Sequence, residues 1–202
     1  MPITTFKDNR ENLDYRRSQR LSMRSGGIIG NWVTSGLSAA GAAAANVLYA
    51  TPIYLPDTCR VDALICSVTV GSAGNMRMGL YTDLNGYPDT RLFVATEITT
   101  VATAGLKYQA VGMTLPYGFY WAACVFDSTP TMQEDDNGAS GQTMGPWLGG
   151  DSATDVTVHP GINVAFTYAA LPTPFTASAA YSSTTQPRIL LRIGKIGRRN
   201  DE

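Results

Sequence analysis

From Val47 onward the chain is a succession of short strand-like runs, each closed by residues that turns require, and this rhythm leaves few folds open. The runs are Val47–Leu55, Val61–Val70, Met76–Thr82, Leu92–Thr99, Leu106–Thr114, Phe119–Phe126, Val156–Thr167 (broken by Pro160-Gly161) and Arg188–Ile193. Between them stand Gly71-Ser-Ala-Gly74, Asn85-Gly-Tyr-Pro88, Ala104-Gly105 and Pro116-Tyr-Gly118, which supply the Gly, Pro and Asn dihedrals of tight turns. Short strands with regular turns predict an all-β chain, an antiparallel β-sandwich or jelly roll.

Two runs carry information about facing. In Asn75–Thr82, Met76, Met78 and Leu80 alternate with Arg77, Gly79 and Tyr81, the period-two pattern of a strand with one buried face and one wetter face. In Phe119–Phe126 both alternate sets are apolar: Phe119, Trp121, Ala123 and Val125 on one side, Tyr120, Ala122, Cys124 and Phe126 on the other. Such a strand needs cover on both faces, from the chain's own arm or from a neighbouring subunit. The neighbour is the expectation here, in a closed homo-oligomer, a trimer, with Tyr120 and Phe126 as interface candidates.

Length and charge set the organisation. A chain of 202 residues buries about 70% of its unfolded surface, enough for one substantial core plus an arm. Charged residues make up 15% of the chain against an ordinary share of about 25%, so the surface is largely hydroxyl, amide and apolar. The net charge of −1 hides basic ends. Residues 1–25 hold Lys7, Arg10, Arg16, Arg17, Arg20 and Arg24 against Asp8, Glu11 and Asp14, and the stretch from Arg188 is also net positive. The expected division is therefore an extended basic N-terminal attachment arm (1–25), a small-residue linker or packing segment (26–46, including Gly36–Asn46), and a sandwich domain (47–202) with long loops near 127–151 and 171–185. Arg10, Arg16, Arg17, Arg20 and Arg24 are the candidate contacts of the arm with acidic partner surfaces. Nucleic acid is not an expected partner, since the body is acidic and lacks the basic, aromatic interleaving of strand binders. No signal pattern stands at the N-terminus and no apolar run reaches about 18 residues, so neither secretion nor membrane insertion is expected.

A resemblance emerges over residues 50–126. Pro52-Ile-Tyr-Leu-Pro56, Cys59-Arg-Val-Asp-Ala-Leu64, Met78-Gly-Leu-Tyr-Thr-Asp83 with Asn85-Gly-Tyr-Pro88, and Leu115-Pro-Tyr-Gly-Phe-Tyr-Trp121 resemble, in that order, the β-sandwich modules of tailed-bacteriophage tail-fibre, receptor-binding and related virion proteins. The resemblance implies a trimeric, virion-attached protein with loops that bind host glycan, made in the host cytoplasm, and it lends no catalytic residue.

The residues themselves offer little for catalysis. His159 is the one histidine and no nucleophile-elbow or cysteine-protease signature accompanies it. Cys59, Cys66 and Cys124 form no CxxC pair, and an odd count points to free thiols. In one regular strand Cys59 and Cys66 fall on opposite faces about 23 Å apart, leaving only a bond from Cys124 open. Glu134, Asp135 and Asp136 lack the alternation of a calcium loop, so a solvated loop is expected. No metal or other cofactor is called for, and no enzyme activity is expected. The binding candidates are Trp147, flanked by glycines in the loop Asp127–Asp151, and Tyr181, in the aromatic-bearing stretch Leu171–Thr185. Two functions follow. One is a tail-associated fibre or receptor-binding component attached through the N-terminal arm. The alternative is a capsid decoration (cement) or connector protein with no host ligand.

Overall fold

A computed structural model describes residues 25–30, 37–94, 96–135, 161–176, 179–182 and 186–196. Among them the strands are, in chain order, β1 (Ile28–Ile29), β2 (Leu37–Ala42), β3 (Val47–Leu55), β4 (Cys59–Val70), β5 (Met76–Leu84), β6 (Tyr87–Val94), β7 (Gly105–Leu115), β8 (Gly118–Phe126), β9 (Thr131–Asp135), β10 (Gly161–Ala165), β11 (Ala180–Ser182), β12 (Gln186–Pro187) and β13 (Leu190–Ile196). They form two antiparallel sheets packed face to face, so the chain is an all-β sandwich. The first sheet runs β1-β13-β4-β9-β12, with β7 beside β4 and β2 beside β9. The second runs β11-β10-β3-β8-β5-β6.

The hairpin β5–β6 shows how local sequence sets the register. Asn85 and Gly86 have φ of 54° and 83°, the left-handed pair that a two-residue turn demands. Asp83 Oδ2 accepts the Gly86 N–H at 3.3 Å. Strand β6 therefore begins at Tyr87, ahead of the expected Leu92–Thr99, and Pro88 is tolerated because β6 is an edge strand.

Between the sheets lies the main core. It includes Ile53 and Leu55 from β3, Leu64 and Cys66 from β4, Met76, Met78 and Leu80 from β5, and Leu191 and Ile193 from β13. Tyr120 and Phe126 also point into it, at 8% and 0% exposure, so these expected interface residues are core residues. The other face of β8, with Trp121, Ala123 and Val125 fully buried, is covered by the chain itself. A strap, residues 166–176, lies over the outside of the second sheet, and Leu171 and Phe175 close a second apolar cluster with Leu48, Ala50, Tyr81, Trp121 and Ile162. The neighbouring subunit expected over β8 is thus replaced by an intramolecular segment.

The strap follows β5 residue by residue. It is tied at its start by the N–H groups of Phe166 and Tyr168, which donate to the Asn46 carbonyl and to Asn46 Oδ1 at 2.8 Å. The Arg77 guanidinium stands 5.6 Å over the Tyr168 ring. Gly79 leaves room for Leu171, whose side chain a Cβ at that position would strike. The Tyr81 hydroxyl donates to the Pro172 carbonyl at 2.8 Å, and its ring meets Phe175 edge-on with centroids 5.1 Å apart. The Phe175 N–H closes the strap on the Asp89 carbonyl at 2.9 Å. The face of β5 expected to meet solvent is therefore covered wherever the strap passes.

Three further expectations change. Residues 26–46 are not only a connection: Ile28–Ile29 pairs with β13 and Leu37–Ala42 pairs with β9. Small residues suit β2 because a Cβ at Gly41 would fall on the Glu134 carboxylate. The loop expected from Asp127 contains β9, and of the run Val156–Thr167 only Gly161–Ala165 is a described strand. Finally, Cys59 and Cys66 face the same core despite their odd spacing. The register of β4 shifts between Val61 and Ala63 against β7 and at the matching place against β13, and an irregularity of this kind resets the alternation.

Because Phe175 is 6% exposed, Phe175→Ala removes a buried ring that seals the second cluster. A loss of about 3–5 kcal/mol is expected, seen as a melting temperature lowered by roughly 10 °C for a chain of this size. A surface strap would show no measurable change in a thermal melt.

Candidate functional site

The strap and the β5–β6 hairpin together enclose a cleft. Trp121 is the anchor. Its indole N–H donates to Asp83 Oδ1 at 2.7 Å, and Tyr81 and Trp121 are cross-strand partners on β5 and β8. A buried indole N–H needs such an acceptor, and the same carboxylate caps the turn through its second oxygen. The two sequence segments Leu80–Pro88 and Leu115–Trp121 thus interlock at a single carboxylate. The Tyr120 hydroxyl donates to the Pro116 carbonyl at 3.0 Å, which holds the start of β8.

Above this anchor lies a cleft of about 280 Å³ between the hairpin and the strap. Tyr87 and Pro88 line one side, Pro174, Phe175 and Ala179 the other. Leu84, 55% exposed, stands on its rim, and Asp89 and Thr176 complete the lining. Tyr181 buttresses the hairpin next to the cleft. Its ring lies 5.3 Å from that of Tyr87 and its hydroxyl donates to the Gly86 carbonyl at 3.0 Å. The lining offers mainly aromatic, aliphatic and proline surface.

Tyr181 is thereby placed beside the cleft but half-buried, so it supports the cleft more than it projects from it. Of the stretch Leu171–Thr185, Leu171 and Phe175 are packed on the sheet. Trp147, the arm residues Arg10, Arg16, Arg17, Arg20 and Arg24, and His159 lie outside the described residues. Of the cleft-lining residues, Tyr87, Pro88 and Asp89 are not singled out from sequence as a site, whereas Thr176 lies in the candidate stretch Leu171–Thr185. The turn motif that holds Tyr87 and Pro88 was visible, but nothing in the sequence brought residues 174–179 to it.

The carboxylate run was expected in a solvated loop, yet Glu134 is 3% exposed. It belongs to β9, opposite Pro187 of β12, and its carboxylate sits against Gly41. Asp136 lies outside the described residues. Among the described residues no group of three or more His, Cys, Asp and Glu side chains is placed to hold a metal ion.

All three cysteines are free and buried. Burial, reinforced by Asp57, pushes the Cys59 thiol up to about 11. Burial pushes the Cys66 thiol up to about 12 against the lowering influence of Lys107. Cys124 is raised as well, by burial and then by Cys66. Thiols held neutral in this way are poor nucleophiles; they pack as small apolar groups, with Cys66 Sγ 3.7 Å from Met76 Sδ.

No protein-family model matches the chain, and no curated protein matches it. Among solved structures the chain is similar to the cysteine protease and lectin-like domains of Cwp84, a surface layer associated protein of Clostridium difficile, with 14% identity and a TM-score of 0.39. That likeness covers 72% of this chain and 32% of that one, so this chain spans about a third of its length.

The raised thiols give a pH prediction. A group whose folded value is raised favours the folded state fully below its unfolded value, and that contribution is lost as pH climbs toward the folded value. Against the ordinary thiol value of 9.0, and folded values of about 11 for Cys59 and about 12 for Cys66, the melting temperature is expected to fall as pH rises from 9 to 11. A Cys59→Ala/Cys66→Ala variant should show a shallower fall over that window in the same calorimetric series.

Proposed function

We propose that this protein is a non-enzymatic structural component of a tailed-phage virion, a tail-associated fibre or receptor-binding protein. Its basic N-terminal arm is the attachment segment, and its sandwich is the binding module. The observation that carries this reading is the cleft between the hairpin Leu84–Pro88 and the strap. It is open, lined by aromatic and proline surface, and furnished with Asp89 and Thr176. A volume near 280 Å³ matches a single ring-sized group, and an apolar wall beside a carboxylate and a hydroxyl suits a sugar ring of a host surface glycan. The order of motifs over residues 50–126, which resembles virion β-sandwich modules, agrees with that role.

The cleft is filled without touching the core by Thr176→Arg. On a glycan array and in adsorption to host cells, this variant is expected to lose binding at least tenfold while melting as the parent does. Full binding by Thr176→Arg removes the cleft from the account. Binding of the parent to empty capsids with no glycan signal replaces the receptor-binding reading with the capsid-decoration one.

A further inference from the structure

The edges of the two sheets are treated differently. In the second sheet, edge strand β6 is sealed by the strap, through the Phe175 N–H on the Asp89 carbonyl and the Arg91 N–H on Thr173 Oγ1 at 3.4 Å. At the far edge, β11 is three residues long. In the first sheet, β7 pairs along one side with β4 through residues 105–110 and 113–115, and no other strand pairs with it among the described residues. At eleven residues it is the longest edge strand among the described residues.

An edge is guarded by charge, inward-pointing charge included, by proline, by bulges or by a short length. Strand β7, Gly-Leu-Lys-Tyr-Gln-Ala-Val-Gly-Met-Thr-Leu, has no proline, and its one charged residue, Lys107, is turned inward at 6% exposure. There the Lys107 ammonium donates to Thr103 Oγ1 at 3.1 Å. A register irregularity lies between Ala110 and Met113, where Gly112 has φ 71°, and it distorts only the C-terminal half. Residues 105–110 remain a regular edge with no outward-facing charge, and Leu106 and Tyr108 stand 54% and 52% exposed on its outer face.

We propose that β7 is a self-association edge, pairing antiparallel with β7 of a second copy of this chain about a two-fold axis. Three features favour the second copy as occupant. An antiparallel pair of identical strands uses up both free edges at once, which closes the assembly where a head-to-tail contact would continue it. No solvent-facing charge on 105–110 opposes its own image. A register centred on Tyr108 also sets Tyr108 against its counterpart, Leu106 against Ala110, and Lys107 against Gln109, so aromatic and apolar groups meet and the two lysines do not. The contact is independent of the cleft, which lies on the other sheet.

Sedimentation of the full chain over a range of concentrations tests this, alongside Tyr108→Lys. That substitution changes an exposed side chain and places two ammonium groups opposite each other across the axis. The parent is expected to approach the mass of two chains as concentration rises. Tyr108→Lys should shift the equilibrium at least tenfold toward the single chain with an unaltered melting temperature. Amide exchange should slow at residues 105–110 of the parent as it associates. A parent that stays a single chain throughout, or an association that Tyr108→Lys leaves intact, overturns the proposal.

Discussion

Strand β8 is apolar on both faces, and that demand for two covers organises the molecule. One face is met by the opposite sheet, through Tyr120, Ala122, Cys124 and Phe126. The other carries Trp121, the largest fully buried side chain among the described residues, and the described residues form no third sheet to bury it. The chain meets the demand with a strap that has no regular secondary structure of its own. Such a segment must find partners for its backbone groups elsewhere. It does so on Asn46, on the Tyr81 hydroxyl, on the Arg91 guanidinium, which donates to the Leu171 carbonyl, and on Asp89.

The same solution places the cleft. Asp83 takes the Trp121 N–H and the turn N–H together, so the hairpin tip is fixed relative to the deepest part of the second cluster. The strap arrives beside that tip because Tyr81, two residues away, holds Pro172 and Phe175. The cleft is the gap left where two held segments meet, which gives it a defined shape without a dedicated loop. Sealing β6 in this way leaves β7 as the longest edge strand among the described residues.

The fold class was legible in the sequence because turn chemistry and period-two patterning are local signals. Val47–Leu55 was bounded to the residue, and Asn85-Gly86 announced its turn. The need for a second cover over β8 was also legible, but its source was not. Leu171 and Phe175 lie among Pro, Ala, Ser and Thr with no periodicity, and their partners are about 90 residues earlier, so no local signal links them. Cys59 and Cys66 were assigned to opposite faces because the irregularity near Asp62 has no marker in composition. The strand Leu37–Ala42 was hidden by small residues whose purpose, room for Glu134 against Gly41, exists only in the packed structure. The cleft shares this limit: its hairpin wall was written in one motif, its strap wall in none.

The central claim is that the chain covers both faces of β8 by itself. Native-state hydrogen exchange of the β8 amides, followed while the protein is diluted until it sediments as a single chain, tests it most directly. Protection in residues 120–125 is expected to match global unfolding and to stay constant on dilution, because Leu171 and Phe175 belong to the same molecule as Trp121. Protection that falls away as the chains separate would show that a neighbour supplies the cover, and would contradict the account.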